Sequence, residues 1–260
     1  MKKIITLLLI CLTLLAGCSN KQQDSDSDVE YIKNKGTLIV GITDFAPMDY
    51  LNENNEWIGF DADVAKKVAE DLGVKVEFVE IDWDNKIFEL ENKSIDVVWN
   101  GMTLTNEVKN AMETSNPYCN NAQVVVLPVS RLDEFNSVED LKGLKFAVEA
   151  GSAGEDAAIE NGFDYISVQT QADTLLEISA NTSEASIIDL LMAGAMIGEG
   201  TSYSNLGYKF ELTSEEYGVG CRKGSDLAAF INDEFKKFDN DGSLYEIAKI
   251  YGVQESLVKQ

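Results

Sequence analysis

The 260-residue chain has no histidine and only two arginines, Arg131 and Arg222. Lack of histidine removes the commonest general base and the commonest metal ligand, and so lowers the expectation of catalysis. Scarcity of arginine removes most of the planar forks that grip carboxylates in two places. Cysteine is sparse as well. Of four in total, Cys119 and Cys221 lie in the body of the chain, and they have neither the number nor the spacing of a zinc site. No metal and no cofactor is expected, and no glycine-rich phosphate loop of the P-loop type is present. After the first residues no stretch is long and apolar enough to span a bilayer. Positive charge is in short supply too: 21 Lys and Arg stand against 45 Asp and Glu, giving a net charge of -24 and a pI near 4.2. Such a chain repels nucleic acid and anionic lipid surfaces, and its acidity also favours solubility.

What is present begins at the N-terminus. Lys2 and Lys3 precede an almost wholly apolar run over 4–15. That run is too short for a permanent membrane helix but suits the core of a signal peptide. It ends in Leu15-Ala16-Gly17-Cys18, which resembles the lipobox of bacterial lipoproteins, with the Cys18 thiol as the atom that takes the lipid. A plain signal peptide with an incidental cysteine is the alternative. Residues 1–17 are therefore expected to be a signal peptide, and 18–30 a lipidated cysteine followed by a polar, flexible tether. The expected location is extracytoplasmic, held by lipid at the outer face of the cytoplasmic membrane or in the periplasm.

Strand-like and helix-like segments then alternate. Thr37–Ile42 reads as a buried strand, and apolar residues at 60, 64, 65, 68, 69 and 72 have helical spacing. Strands follow at 74–81, 95–99 and 122–127, with helices at 85–91 and 106–112. The alternation restarts after Pro128, with strands at Lys145–Glu149, 165–168 and 185–188 and helices through 159, at 172–179 and at 190–197. A last strand at 217–221 precedes two helices, 226–238 and Ser243–Tyr251. Repeated βαβα units imply α/β lobes with mainly parallel sheets covered by helices. The expected division is one lobe of 31–126 plus 217–260 and a second of 127–216, with the chain crossing near 125–129 and 213–218. Ligands of open α/β sheets bind beyond the C-terminal strand ends, here the inter-lobe cleft.

Five segments together carry a family resemblance. They are Gly59-Phe60-Asp61-Ala62-Asp63-Val64; Thr37-Leu38-Ile39-Val40-Gly41 with Phe45-Ala46-Pro47; Asn100-Gly101-Met102-Thr103-Leu104-Thr105; Asn120-Asn121-Ala122-Gln123-Val124-Val125-Val126; and Tyr217-Gly218-Val219-Gly220-Cys221-Arg222-Lys223-Gly224. In this order they resemble the polar amino-acid-binding proteins of ABC transporters (family 3), which have the two-lobe periplasmic-binding-protein type II fold with two hinge strands. The resemblance implies a monomeric subunit that captures a small molecule, closes over it and docks on ABC permease subunits. It implies that Phe45 and Trp83 are aromatic walls, with core packing as their alternative role. Asp44 lies in the same binding loop. Asn100, Gly101 and Thr103 would offer backbone and hydroxyl hydrogen bonds. Asp189 would accept the ligand's ammonium group, because a desolvated cation must be paired; a helix N-cap is its alternative role.

Two departures bear on the ligand. The family's loop runs Thr-x-Glu-Arg, and its arginine grips the α-carboxylate, whereas this chain has Thr105-Asn106-Glu107-Val108. Val108 can neither donate a hydrogen bond nor carry charge. In Glu149-Ala150-Gly151-Ser152-Ala153-Gly154 the family usually has glutamine first and a hydroxyl at Ala153, so Glu149 adds negative charge and Ala153 loses a donor, leaving Ser152 and the helix terminus. Losing one partner of a buried ion pair costs about 3–5 kcal/mol. Two readings stay open: a ligand without a free α-carboxylate (an amine, a cation or a neutral heterocycle), or an amino acid whose carboxylate meets Lys109 or Lys86 instead. A dehydratase-like enzyme and a sensor or adhesin are rivals on the same fold; no nucleophile–base pair supports the first. Cys119 and Cys221 would form a disulfide if their strands pair closely, and otherwise are two buried apolar cysteines.

Overall fold

The computed structural model describes residues 27–260, so the expected signal peptide, Cys18 and most of the expected tether lie outside the described residues. Helix α1 (Asp28–Lys35) starts where Ser27 accepts a hydrogen bond from the Glu30 amide. Asp28 and Glu30 in its first turn and Lys33 and Lys35 in its last complement the helix dipole. The tether expected through residue 30 therefore ends earlier. Asp28 pairs with Arg222 at 3.0 Å and Ser27 Oγ donates to Asp226 at 2.5 Å, which dock the helix onto a distant part of the chain.

The first lobe continues with β1 (Thr37–Ile42), a hairpin of β2 (Tyr50–Leu51) and β3 (Trp57–Ile58), α2 (Phe60–Leu72), β4 (Lys75–Glu80), α3 (Lys86–Glu91), β5 (Val97–Val98), α4 (Asn106–Ala111) and β6 (Glu113–Thr114). All six apolar positions read from the sequence on α2, among them Phe60, Val64 and Val68, are buried. Strand β7 (Cys119–Asn121) leads out, and the second lobe holds β8 (Gln123–Pro128), β9 (Lys145–Glu149), α5 (Ala153–Asn161), β10 (Asp164–Val168), α6 (Gln171–Ser179), β11 (Ala185–Asp189), α7 (Leu190–Met196) and β12 (Leu206–Glu211). Strand β13 (Glu215–Tyr217) leads back to β14 (Gly220–Cys221), α8 (Leu227–Asp241) and α9 (Ser243–Tyr251), with α9 packed on α2 and α8 on α1.

Two five-stranded sheets result, in the orders β4-β1-β5-β14-β6 and β10-β9-β11-β8-β12. In each, four strands run the same way and one runs against them, β14 in the first sheet and β8 in the second, so the sheets are mainly parallel with a single reversed strand. The reversed strand of each sheet is the one that follows a crossing, β8 after β7 and β14 after β13. Between the sheets, β7 and β13 pair as an antiparallel ribbon, Glu215 opposite Asn121 and Tyr217 opposite Cys119. The first crossing thus lies at Asn121–Gln123, earlier than the expected 125–129, and a boundary at 126/127 falls inside β8. The apolar run reads as a hinge strand in the sequence because Val124, Val125, Val126 and Leu127 are all fully buried; its alternate side chains feed cores on opposite faces of the second sheet.

Cys119 and Cys221 are buried and free. The disulfide alternative fails on register: Cys119 faces Tyr217 in the ribbon, while Cys221 pairs with Val97 and Glu113 in the first sheet.

Candidate ligand-binding site

A cleft between the lobes is lined from the first by Thr43, Phe45, Trp83, Lys86, Asn100, Gly101, Met102, Thr103, Thr105, Glu107 and Val108. The second lobe contributes Glu149, Gly151, Ser152, Ala153, Asp156, Gln171 and Asp189. These residues sit at strand ends and helix starts, where parallel strands stop and loops are free to vary. Ten of the eleven residues expected in the site are brought together here. The exception is Asp44, which follows Thr43 but is exposed and lines no part of the cleft.

Asn100 is a strut rather than a free donor. Its Oδ1 accepts from Thr43 N at 3.0 Å and Thr43 Oγ1 at 2.7 Å, and its Nδ2 donates to Thr43 O at 3.1 Å and Asp49 Oδ2 at 2.8 Å. Gly101 is held next to it by its amide, which donates to Asp61 Oδ2 at 2.7 Å. Gly101 has φ +55, and a Cβ there would lie 2.3 Å from the Phe45 ring, so only glycine lets that ring reach the cleft. Phe45 and Trp83 are both buried and both belong to core clusters, so they pack and line the cleft at once. Val108 is buried among Trp83, Leu90 and Met112 in the first lobe.

Asp189 stands at the start of α7 but makes no capping hydrogen bond. Its carboxylate accepts instead from Asn121, Gln171 and Tyr217, the last at 2.6 Å, and its amide donates to Gln171 Oε1 at 3.0 Å. Burial, reinforced by the nearby Glu215 charge, pushes it up to about 7, against the pull of those donors. Glu215 itself accepts from Thr103, Asn121 and Gln123, so one carboxylate of the returning hinge strand ties the first lobe's loop to the outgoing chain. Gln171, Asn121, Tyr217 and Glu215 were given no site role in the sequence, although Asn121 and Tyr217 fall in the hinge-strand segments. Only their placement on facing hinge strands and at a helix start makes them partners of Asp189.

Glu149 ends β9 in the cleft, 2% exposed, and its Oε1 has no hydrogen-bond partner. Burial first and Asp189 second raise it to about 8, opposed by Lys86 and Gln171. Ser152 caps α5 through the Glu155 amide at 3.1 Å. Of the two lysines weighed for the missing arginine, Lys86 lines this cleft, and Lys109 lies outside it in a neighbouring groove. Lys86 Nζ donates across the lobes to Gly151 O at 2.8 Å and within its own lobe to Trp83 O at 3.2 Å. Burial holds its ammonium below the ordinary lysine range, despite Glu107, Glu149, Asp84 and Asp156 nearby.

The lobes are closed on one another. Gln169 Nε2 donates to Asp82 Oδ1 at 2.6 Å, and the void left in the cleft is about 30 Å³. Small-molecule pockets are typically ~300–1,000 Å³, so a ligand enters only when the lobes part. Among the lining residues, four carboxylates (Glu107, Glu149, Asp156, Asp189) face one ammonium, Lys86.

Among the described residues, no helix is long and apolar enough to cross a membrane, and no group of three or more Cys, Asp and Glu is placed to hold a metal ion. The profile of the bacterial extracellular solute-binding proteins, family 3, matches residues 38–254. The arginine-binding extracellular protein ArtP of Bacillus subtilis is 30% identical over 263 residues, covering 96% of this chain and 97% of its own. The ABC transporter glutamine-binding protein GlnH of the same organism is 31% identical over 268 residues, with 96% and 97% covered. In structure, the arginine-binding protein ArgBP of T. maritima, as its P235GK mutant, superposes with a TM-score of 0.80 at 31% identity, covering 86% of this chain and 98% of that one.

Proposed function

This chain belongs to family 3 of the bacterial extracellular solute-binding proteins, and from that premise we propose that it captures a small cationic solute between its lobes and presents the closed form to the permease subunits of an ABC importer. The observation that carries the reading is the acidity of the cleft, four carboxyl groups to one ammonium, with no arginine among its lining residues. A buried cation needs a paired carboxylate, and Asp189 is held ready by three donors. Phe45 and Trp83 supply aromatic faces that favour a cation over a neutral group. The relatives' names support an amino acid or amino-acid-like solute, and an arginine-like one fits this charge best.

Lys86 favours a second reading of the carboxylate question. Freed from Gly151 O when the lobes part, it is the one cation among the lining residues positioned to meet an α-carboxylate. On that reading the solute is a cationic amino acid; otherwise it lacks the carboxylate. Capture rather than catalysis is the role, because Asp189 is fixed by its donors rather than paired with a nucleophile. Export and anchoring by lipid on Cys18 complete the reading, with 18–27 as the tether, one lobe of 28–121 plus 217–260 and a second of 122–216.

A thermal-shift screen of the purified protein against amines, amino acids, heterocycles and carboxylates tests this. A solute at 100 times its Kd adds about 2.7 kcal/mol, a shift of about 5–11 °C for a chain of this size. Shifts confined to anionic compounds sink the reading. Radiolabelled palmitate incorporation that survives Cys18→Ala sinks the anchor.

A further inference from the structure

We propose that Glu149 receives a second cationic group of the solute, so that the cleft selects small dications with one charge against Asp189 and the other against Glu149. This rests on the solute-capture reading above and adds the class of solute. Glu149 lines the cleft, is 2% exposed, and has an Oε1 without any hydrogen-bond partner. Buried polar atoms are nearly always paired, so an orphaned carboxylate oxygen facing a binding cleft marks the place of a missing donor. Asp189, the other buried carboxylate of the cleft, already has three donors. Lys86 Nζ does not fill the role for that oxygen, because it donates to Gly151 O and Trp83 O instead, and the Gln171 side chain, which favours the Glu149 carboxylate, leaves Oε1 unpaired. Glu107 and Asp156, from opposite lobes, add negative charge at the same cleft and continue into an adjoining groove.

The charged groups that act on Glu149 are Asp189 at the end of β11, Asp173 on α6 and Lys86 on α3. In the empty cleft burial and Asp189 hold its carboxyl near 8, so it carries a proton at pH 7. An arriving cation favours the carboxylate, and that proton leaves to solvent. Binding of a dication is then linked to proton release, and affinity tightens as pH rises toward 8, by at most about tenfold per unit for this group.

Isothermal titration at pH 7 in two buffers of different ionisation enthalpy reads both effects. The dicationic probes are L-arginine, L-lysine, agmatine and cadaverine; the matched monocationic probes are L-citrulline, L-norleucine and pentylamine. At least one dication is expected to bind at least about 10-fold tighter than its match and to release a proton. Glu149→Gln, which keeps the size of the side chain, should remove about 10- to 150-fold of that preference together with the proton. The proton count on the unmutated protein needs no variant, and melting checks that the variant folds. If monocations bind as tightly as dications, or the variant keeps the preference, this inference falls while solute capture stands. If no probe of either kind binds, both fall.

Discussion

Gly151→Ala separates the closing of the lobes from the folding of each. Gly151 has φ +69, and its carbonyl takes the cross-lobe hydrogen bond from Lys86. A Cβ built there lies 2.8 Å from Asp84 Oδ1 and 2.9 Å from Asp84 Cα. The carboxylate can swing aside, but the Cα belongs to a tight turn, Trp83–Asn85, and cannot. Ordinary contact begins at 3.4 Å, so the lobes must stay about 0.5 Å (3.4 less 2.9) further apart at this point. Two costs follow. A left-handed alanine costs about 1–2 kcal/mol in open and closed forms alike, and appears as lost melting stability. The wedge acts on the closed form alone. It stretches a charged hydrogen bond worth about 1.5–3 kcal/mol, so Kd for the best solute from the thermal screen should rise about 10- to 150-fold. Gly162→Ala is the control: φ is +67 there and nothing lies within 4 Å, so it carries the backbone cost without the wedge. The assay is Kd by titration, with solute-induced compaction followed by small-angle scattering. Equal affinities for the two variants would refute the argument that Gly151 is the point of closest approach in the binding form.

Stability should fall as pH rises from 5 to 8. Burial raises Asp61 and Asp189 to about 7 and Glu149 to about 8, and burial together with the Asp61 charge raises Asp49 well above its ordinary value. The folded chain then binds more protons than the unfolded one across that window, so the free energy of unfolding declines with pH, by a total on the order of a few kcal/mol. Below about pH 4 the trend reverses, as Asp28, which Arg222 holds below its ordinary range against the effect of burial, becomes protonated; a melting temperature that climbs between pH 5 and 8 would contradict this. Asp61→Ala strips the acceptor from the Gly101 amide and the Tyr118 hydroxyl, both in fully buried surroundings, and should cost about 2–5 kcal/mol in denaturant unfolding. Tyr118→Phe should cost only about 1 kcal/mol, because it removes a donor and leaves Asp61 the Gly101 amide. Cys119 and Cys221, buried and with thiols pushed up by that burial, should react with a thiol reagent only after unfolding, and reductant should not change the mass of the native chain.

Much of the architecture was legible because hydrophobic spacing reports burial directly. The apolar stripe of α2 and the continuous apolar run of β8 are examples. Elements held by polar or distant contacts were not. Helix α1 depends on Asp28 meeting Arg222 and Ser27 meeting Asp226, almost 200 residues away in the chain. Strand β12 has three of its six side chains exposed and only one buried, and lies at a sheet edge, where the pattern that marks a strand fades. In the site, Phe45 and Glu149 were found by their places in recognisable motifs, and Trp83 and Asp189 by the roles that the family resemblance implies. What those motifs omit is how the polar groups are spent. Asn100 turned out to be fully committed to Thr43 and Asp49, and Asp189 to hinge residues, and neither follows from spacing along the chain. Lys86 was separated from Lys109 only by geometry, because α3 turns one toward the second lobe while α4 carries the other to a different groove.

The central claim is that a small cation is captured between the lobes, and direct titration of the purified protein with cationic and anionic compounds of matched size tests it. L-arginine and agmatine set against L-glutamate and succinate make a suitable set. The account predicts saturable binding of a cation at one site per chain, lost in Asp189→Asn, with no binding of the dicarboxylates. Tighter binding of a dicarboxylate than of either cation would contradict it.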